Sequence, residues 1–162
     1  MWKRLRLSIA MSLSFDVINA LQGKSLATAE SCTGGGIGAA LTAVPGSSAV
    51  YKGGIISYWS EVKRDLLGVA QEDLETLGPV SLQVAGSMAE GARKALHTDV
   101  AISVTGLAGP DGDEFGRPVG TVFVGFCDGP RTLAKQYRFT GDREAVRQQA
   151  IEAALNLILE YV

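Results

Sequence analysis

The sequence has one histidine, His97, two cysteines, Cys32 and Cys127, and no surplus of charge of either sign. A single imidazole all but excludes a histidine-rich metal site and leaves any Ser/His/Asp triad dependent on one residue. Two thiols are too few for a disulfide framework, which a chain of this size does not need, so a reducing, cytoplasmic setting is expected. Lys plus Arg at 15 against Asp plus Glu at 17 give a formal charge of −2, with no basic stretch dense enough to follow a phosphate backbone. A nucleic-acid partner is therefore not expected. No run approaches the roughly 18 apolar residues of a membrane span, so no membrane partner is expected either. Lys3, Arg4 and Arg6 before a short apolar run look superficially like a secretory leader, but Ser8, Ser12 and Ser14 interrupt it and no small-residue cleavage site follows.

What is present is enough apolar material for one core: 162 residues, 46% hydrophobic, fit a single domain over 1–162, with a first helix (1–23) packed on it. Ser25 to Ala29 has the pattern of a short buried strand, and Thr33 to Ala43 that of a glycine-rich helix stopped by Pro45 and Gly46. Ser48 to Tyr58 is extended, Ser60 is placed to cap a helix ending at Gly68, and Gln71 to Leu77 forms another short helix. From Ser81, small and apolar residues from Val84 to Leu96 recur at helical spacing. Val100 to Val104 and Thr121 to Phe126 read as central strands, Leu133 to Phe139 alternates as an edge strand does, and Asp142 caps a last helix reaching Tyr161. Helices before, between and after the strands predict a three-layer α/β/α sandwich, and the hairpin-like last two strands make a mostly parallel sheet mixed.

The most informative segment is Thr28-Ala29-Glu30-Ser31-Cys32-Thr33-Gly34-Gly35-Gly36. A hydroxyl, a thiol and three glycines lie between a strand and a helix start, where unpaired N–H groups and the helix dipole favour a phosphate or an oxyanion. It is not a Walker A loop, because Ile18 stands where the first glycine is needed ahead of Gly23-Lys24-Ser25. If Ser31 is a nucleophile it needs a base, and His97 sits in a stretch that reads as an exposed helix end. Lys63 is the alternative, because the first turn of a helix and partial burial both favour a neutral amine. Tyr58 is placed to orient that lysine or to meet substrate. Residue types alone do not separate Ser31 from Cys32, since a thiol at a helix N-terminus also makes a good nucleophile. A second glycine-rich element, Val104 to Gly112 with Thr105 and Gly106, follows a central strand and is expected to meet the Ser31 loop. Asp111, Asp113 and Glu114 read first as a turn rather than a cation site. Arg143 and Arg147 lie one helical turn apart and suit joint capture of an anion.

In this order these motifs resemble the C-terminal domain of the CinA family, whose stand-alone members include nicotinamide-nucleotide amidases. The resemblance rests on Ala29 to Gly35, Pro45-Gly46-Ser47-Ser48, Tyr58 with Lys63, Val104 to Gly112, Pro118 to Val122, and Gly141-Asp142-Arg143 through Arg147. It implies hydrolysis of the carboxamide of nicotinamide mononucleotide, within pyridine-nucleotide salvage, without metal or organic cofactor. Its Ser/Lys arrangement carries onto Ser31 and Lys63, with Tyr58 and Thr105 in support. Substrate contacts are expected from Cys32, Thr33, Gly34, Gly35, Ser48, Gly106, Arg143 and Arg147. A homo-oligomer is also implied. The chain departs from the family's Tyr-Ser-Asn-Glu-x-Lys at Trp59 and Ser60, and the nucleotide-processing domain of longer members has no counterpart in these residues. A non-catalytic nucleotide-binding module is the rival expectation.

Overall fold

The computed structural model describes the backbone of residues 2–162 and the side chains from Ile9 onward. Helix α1 (Trp2–Ala20) leads into β1 (Leu26–Glu30), α2 (Gly36–Thr42), a 3₁₀ turn (Ser47–Ala49) and β2 (Tyr51–Ile56). Then come α3 (Ser60–Leu67), α4 (Gln71–Thr76), α5 (Leu82–Leu96), β3 (Val100–Gly106), β4 (Thr121–Cys127), β5 (Thr132–Arg138) and α6 (Arg143–Tyr161). The strands form one sheet in the order β2-β1-β3-β4-β5. β2, β1 and β3 are parallel, whereas β4 runs antiparallel to both β3 and β5.

The burial of each strand follows its residues. β3 and β4 are buried along almost their whole length because helices cover both faces, while the edge strand β2 alternates between half-buried and exposed positions and β5, at the other edge, is half-buried over residues 133–135 and alternates after them. Helices α1, α2 and α6 cover one face around Val17, Ile37, Leu41, Val124, Phe126, Leu155 and Ile158. Helix α5 covers the other, where Val84, Met88 and Ala92 meet Ala27, Ala29 and Ala101, and α3 and α4 lie outside it. This is the expected three-layer sandwich. Gly91 permits the α3–α5 contact: a Cβ there would stand 1.9 Å from the Leu67 carbonyl oxygen. Among the described residues no helix is long and apolar enough to cross a membrane.

Two boundaries differ from the sequence pattern. The glycine-rich helix begins at Gly36, not Thr33, because Gly34 (φ 58°) and Gly35 (φ 102°) are left-handed and turn the chain before the helix can start. Ser60 is the first helical residue of α3 and not its cap; the cap position falls on Trp59, whose side chain accepts no hydrogen bond. Gly68 does end α3, in the left-handed conformation, and the Asp142 and Ser81 side chains cap α6 and α5. His97 ends α5, exposed, at the edge where β3 begins. Seven residues of β3, about 20 Å of strand, separate that edge from the Ser31 loop, so His97 does not serve Ser31.

Candidate active site

Parallel strands deliver their following loops to one edge of the sheet. Glu30 pairs with Ile56 on one side and with Val104 on the other, so Ser31, Ser57-Tyr58 and Thr105-Gly106 emerge together beyond the carboxyl ends of β1, β2 and β3. The Ser31 N–H continues the ladder to Val104 O at 3.0 Å, and the Ser57 N–H donates to Glu30 O at 2.8 Å. The Ser31 loop thus hangs from the centre of the sheet.

Lys63 reaches this edge from the first turn of α3. It is almost fully buried, and its Nζ donates to Ser57 O at 2.7 Å, Tyr58 O at 3.1 Å and Ser31 Oγ at 3.0 Å. Burial lowers its pKa from 10.5 to about 8, with Cys32 pulling weakly the other way. Two carbonyl oxygens hold two of the amine's hydrogens. In the neutral form the remaining tetrahedral direction carries the lone pair, and it faces the Ser31 hydroxyl.

Cys32 is also buried, but its surroundings raise its thiol to about 11 through desolvation, which outweighs its backbone hydrogen bond and the nearby Arg147 and Lys63. A thiol held neutral in this way is a poor nucleophile. Contact also distinguishes Ser31 from Cys32: Lys63 hydrogen-bonds to the hydroxyl.

The turn after Ser31 is held from below and from the side. The buried Glu30 carboxylate accepts the Thr33 hydroxyl at 2.6 Å, the Ile37 N–H at 2.8 Å and the Gly38 N–H at 3.1 Å. The positive end of α2, which the sequence pattern offers to an external anion, is thus occupied by the chain's own carboxylate. Arg147 reaches across from α6, donating from Nε to Cys32 O at 2.9 Å and from Nη2 to Thr33 O at 3.2 Å. Arg143, one turn earlier, goes elsewhere: its guanidinium bridges Gly109 O at 2.6 Å and Tyr58 Oη at 3.1 Å. The two arginines share a helix face but hold different loops.

A pocket of about 150 Å³ opens between these parts, lined by Ser31, Cys32, Tyr58, Lys63, Thr105, Gly106 and Arg143, with Pro79, Val80 and Ala108. The structure therefore brings together all four residues expected in catalysis, Ser31, Lys63, Tyr58 and Thr105, and places Arg143 at the rim. Thr105 donates its hydroxyl to Pro79 O at 2.7 Å. Thr33, Gly34 and Gly35 form the turn behind Ser31, and Ser48 is exposed on the 3₁₀ turn that enters β2, a full strand length from Tyr58. Asp113 is engaged within its own loop, accepting the Phe115 and Arg117 N–H groups and pairing with the Arg117 guanidinium. The holding role of Glu30 was missed from sequence. Its signal, a carboxylate seven and eight residues before the amides it caps, has no local periodicity.

A family model described as the CinA C-terminal domain matches residues 11–162. The nicotinamide-nucleotide amidohydrolase PncC of Enterobacter agglomerans is 47% identical over 151 residues, covering 91% of this chain and 92% of that protein. A CinA-like protein of Parasynechococcus marenigrum is 49% identical over 149 residues, 90% of this chain but 36% of that protein. The chain spans about a third of the length of such longer relatives. Among solved structures, the competence damage-inducible protein A of Klebsiella pneumoniae superposes with a TM-score of 0.91 at 38% identity, over 94% of this chain and 96% of that one.

Proposed function

Because the chain belongs to the CinA C-terminal domain family, we propose that it hydrolyses the carboxamide of nicotinamide mononucleotide to nicotinic acid mononucleotide and ammonia through Ser31 and Lys63. The observation that carries this reading is the Lys63 amine, buried, held by two carbonyl oxygens and 3.0 Å from the Ser31 hydroxyl. The amidohydrolase name of a relative matched over nearly its full length supports the reaction class.

Neutral Lys63 takes the Ser31 proton as Oγ attacks the carboxamide carbon. The oxyanion falls to backbone N–H groups of the Cys32–Gly35 turn, of which Cys32 lines the pocket while Gly34 already donates to Ser31 O. Lys63 then protonates the departing nitrogen, ammonia leaves, and an ester remains on Ser31. Water attacks that ester, Lys63 accepts its proton and returns it to Oγ, and the acid is released. Arg143, whose hydrogen-bond acceptors are uncharged oxygens at the pocket rim, receives the nucleotide phosphate. Arg147 keeps the turn in place. The same reading has the protein working in the cytoplasm as a homo-oligomer.

A binding module without turnover has no use for a lysine desolvated against a serine. Purified protein incubated with nicotinamide mononucleotide is expected to release ammonia, and folded Ser31→Ala and Lys63→Ala variants to release none. Ammonia release that survives either substitution refutes the mechanism, and binding of the nucleotide without release by the intact chain puts the module in its place.

A further inference from the structure

We propose that the site is an acyltransferase as well as a hydrolase, passing the acyl group held on Ser31 to small uncharged amines such as hydroxylamine. The inference rests on the Ser31 ester of the preceding section and goes on to ask what selects the group that attacks it.

Enzymes that reserve such an ester for water carry a group that holds or activates the water. Among the described residues, those lining this pocket include no carboxylate and no imidazole. Lys63 is the one base at hand, and it is not free to serve a second position: Ser57 O and Tyr58 O fix it at 2.7 and 3.1 Å, and its third direction ends on Ser31 Oγ. Whatever attacks the ester must therefore surrender its proton at the place where ammonia collected one. That place is shaped for a small nitrogen group, since an amine has just left from it. By microscopic reversibility, attack by ammonia retraces the transition state of its own expulsion, and attack by another small amine passes through the analogous one, met by the same N–H groups and the same Lys63. Water has no structural advantage over it.

The competing thiol is removed from the contest, because burial keeps Cys32 in its uncharged form. Access is open as well, since Tyr58 at the pocket wall is more than half exposed. The step balances without an oxidant or reductant. The amine nitrogen attacks the ester carbon, forming a C–N bond. Its proton passes to Lys63 Nζ, the C–O bond to Ser31 Oγ breaks, and Lys63 returns the proton to Oγ. With hydroxylamine the product is an N-hydroxy amide, and the enzyme is regenerated. Ammonia itself competes poorly near neutral pH because it is mostly ammonium, whereas hydroxylamine is mostly uncharged. Partition between acid and hydroxamate is then set by concentration and nucleophilicity.

The test incubates the full chain with nicotinamide mononucleotide and increasing hydroxylamine, and measures ammonia, acid and hydroxamate in the same samples, with a no-enzyme control. The expected result is a hydroxamate-to-acid ratio that rises in direct proportion to hydroxylamine, doubling when it is doubled, with neither product formed by Ser31→Ala. Continued ammonia release with acid as the sole product at every hydroxylamine concentration overturns the transfer activity and leaves the hydrolase standing. Hydroxamate formed equally by Ser31→Ala overturns it too, since no ester is then involved. Absence of ammonia release with or without hydroxylamine, from a folded chain, overturns the hydrolase reading and this one with it.

Discussion

Lys63→Met should flatten the pH dependence of stability that the buried amine imposes on the fold. In the folded chain Lys63 titrates at about 8, against an ordinary value of 10.5. Below about pH 8 both states carry the proton, and the folded state bears the whole cost of a desolvated ammonium. Between about 8 and 10.5 the folded chain has released its proton while the unfolded chain has not, so the unfolded state binds more protons and stability rises with pH. At about 1.4 kcal/mol per pH unit, the full window is worth about 3 kcal/mol. Methionine has nearly the same length and no charge. It leaves Ser57 O and Tyr58 O without their donor, which lowers stability at every pH but adds no slope. The assay is urea unfolding of wild type and variant between about pH 7 and about pH 10, plotted as the difference in unfolding free energy. Tyr51 and Tyr137, whose values are raised, titrate in both proteins and cancel to first order in the difference, and because Cys32 and Lys63 act on each other the pair is compared in a Cys32→Ala background. A wild type that gains about 2 to 3 kcal/mol on the variant across the window supports the argument. Parallel curves refute it, because the lysine would then be solvated when charged and poorly suited to act as a base.

The same titration should govern turnover: the rate of Ser31 acylation rises with pH and levels off above about 8, so that at pH 7 about a tenth of the plateau rate remains, and a stopped-flow pH profile flat through this range would contradict it. Cys32→Ala should keep the ammonia-release rate within about threefold of wild type, because the neutral thiol lines the pocket without taking part. Glu30→Gln should lower stability by about 1 to 3 kcal/mol in denaturant unfolding, since three donors lose a charged acceptor and one carboxamide oxygen cannot face them all. Gly91→Ala should destabilise by more than about 2 kcal/mol, visible as a lowered Tm, because its Cβ would stand 1.9 Å from the Leu67 carbonyl oxygen and force α3 off α5.

The layers were legible in the sequence because they depend on local pattern. The unbroken apolar runs of Val100 to Val104 and Thr121 to Phe126 are central strands, and the alternation after Leu133 marks an edge. The pairing of Ser31 with Lys63 was legible for a different reason: one histidine left few bases, and Lys63 followed a strand end. What pattern could not supply was position across the chain. Arg147 and Cys32 are 115 residues apart, and only the docking of α6 beside the first loop shows that Arg147 holds backbone oxygens while Arg143 bridges Tyr58 and Gly109. Ser60 was misassigned as a cap because its side chain suits that task; the chain turns one residue earlier, at Trp59. The strand order, which sets β2 beside β1 and β1 beside β3, brings Ser31, Lys63 and Thr105 to one edge, and no residue announces it.

The pocket draws its walls from segments spread between Ser31 and Arg143, and both Arg143 at its rim and Arg147, which holds the Ser31 turn, lie on α6. During synthesis Ser31 and Lys63 leave the ribosome before α6 does, so the turn that carries Ser31 lacks its Arg147 brace until α6 has emerged and docked. A nascent or partly unfolded copy therefore presents an unbraced Ser31 turn and an incomplete pocket. Completion of the pocket and of its brace therefore depends on the docking of α6, far along the chain from the serine it steadies.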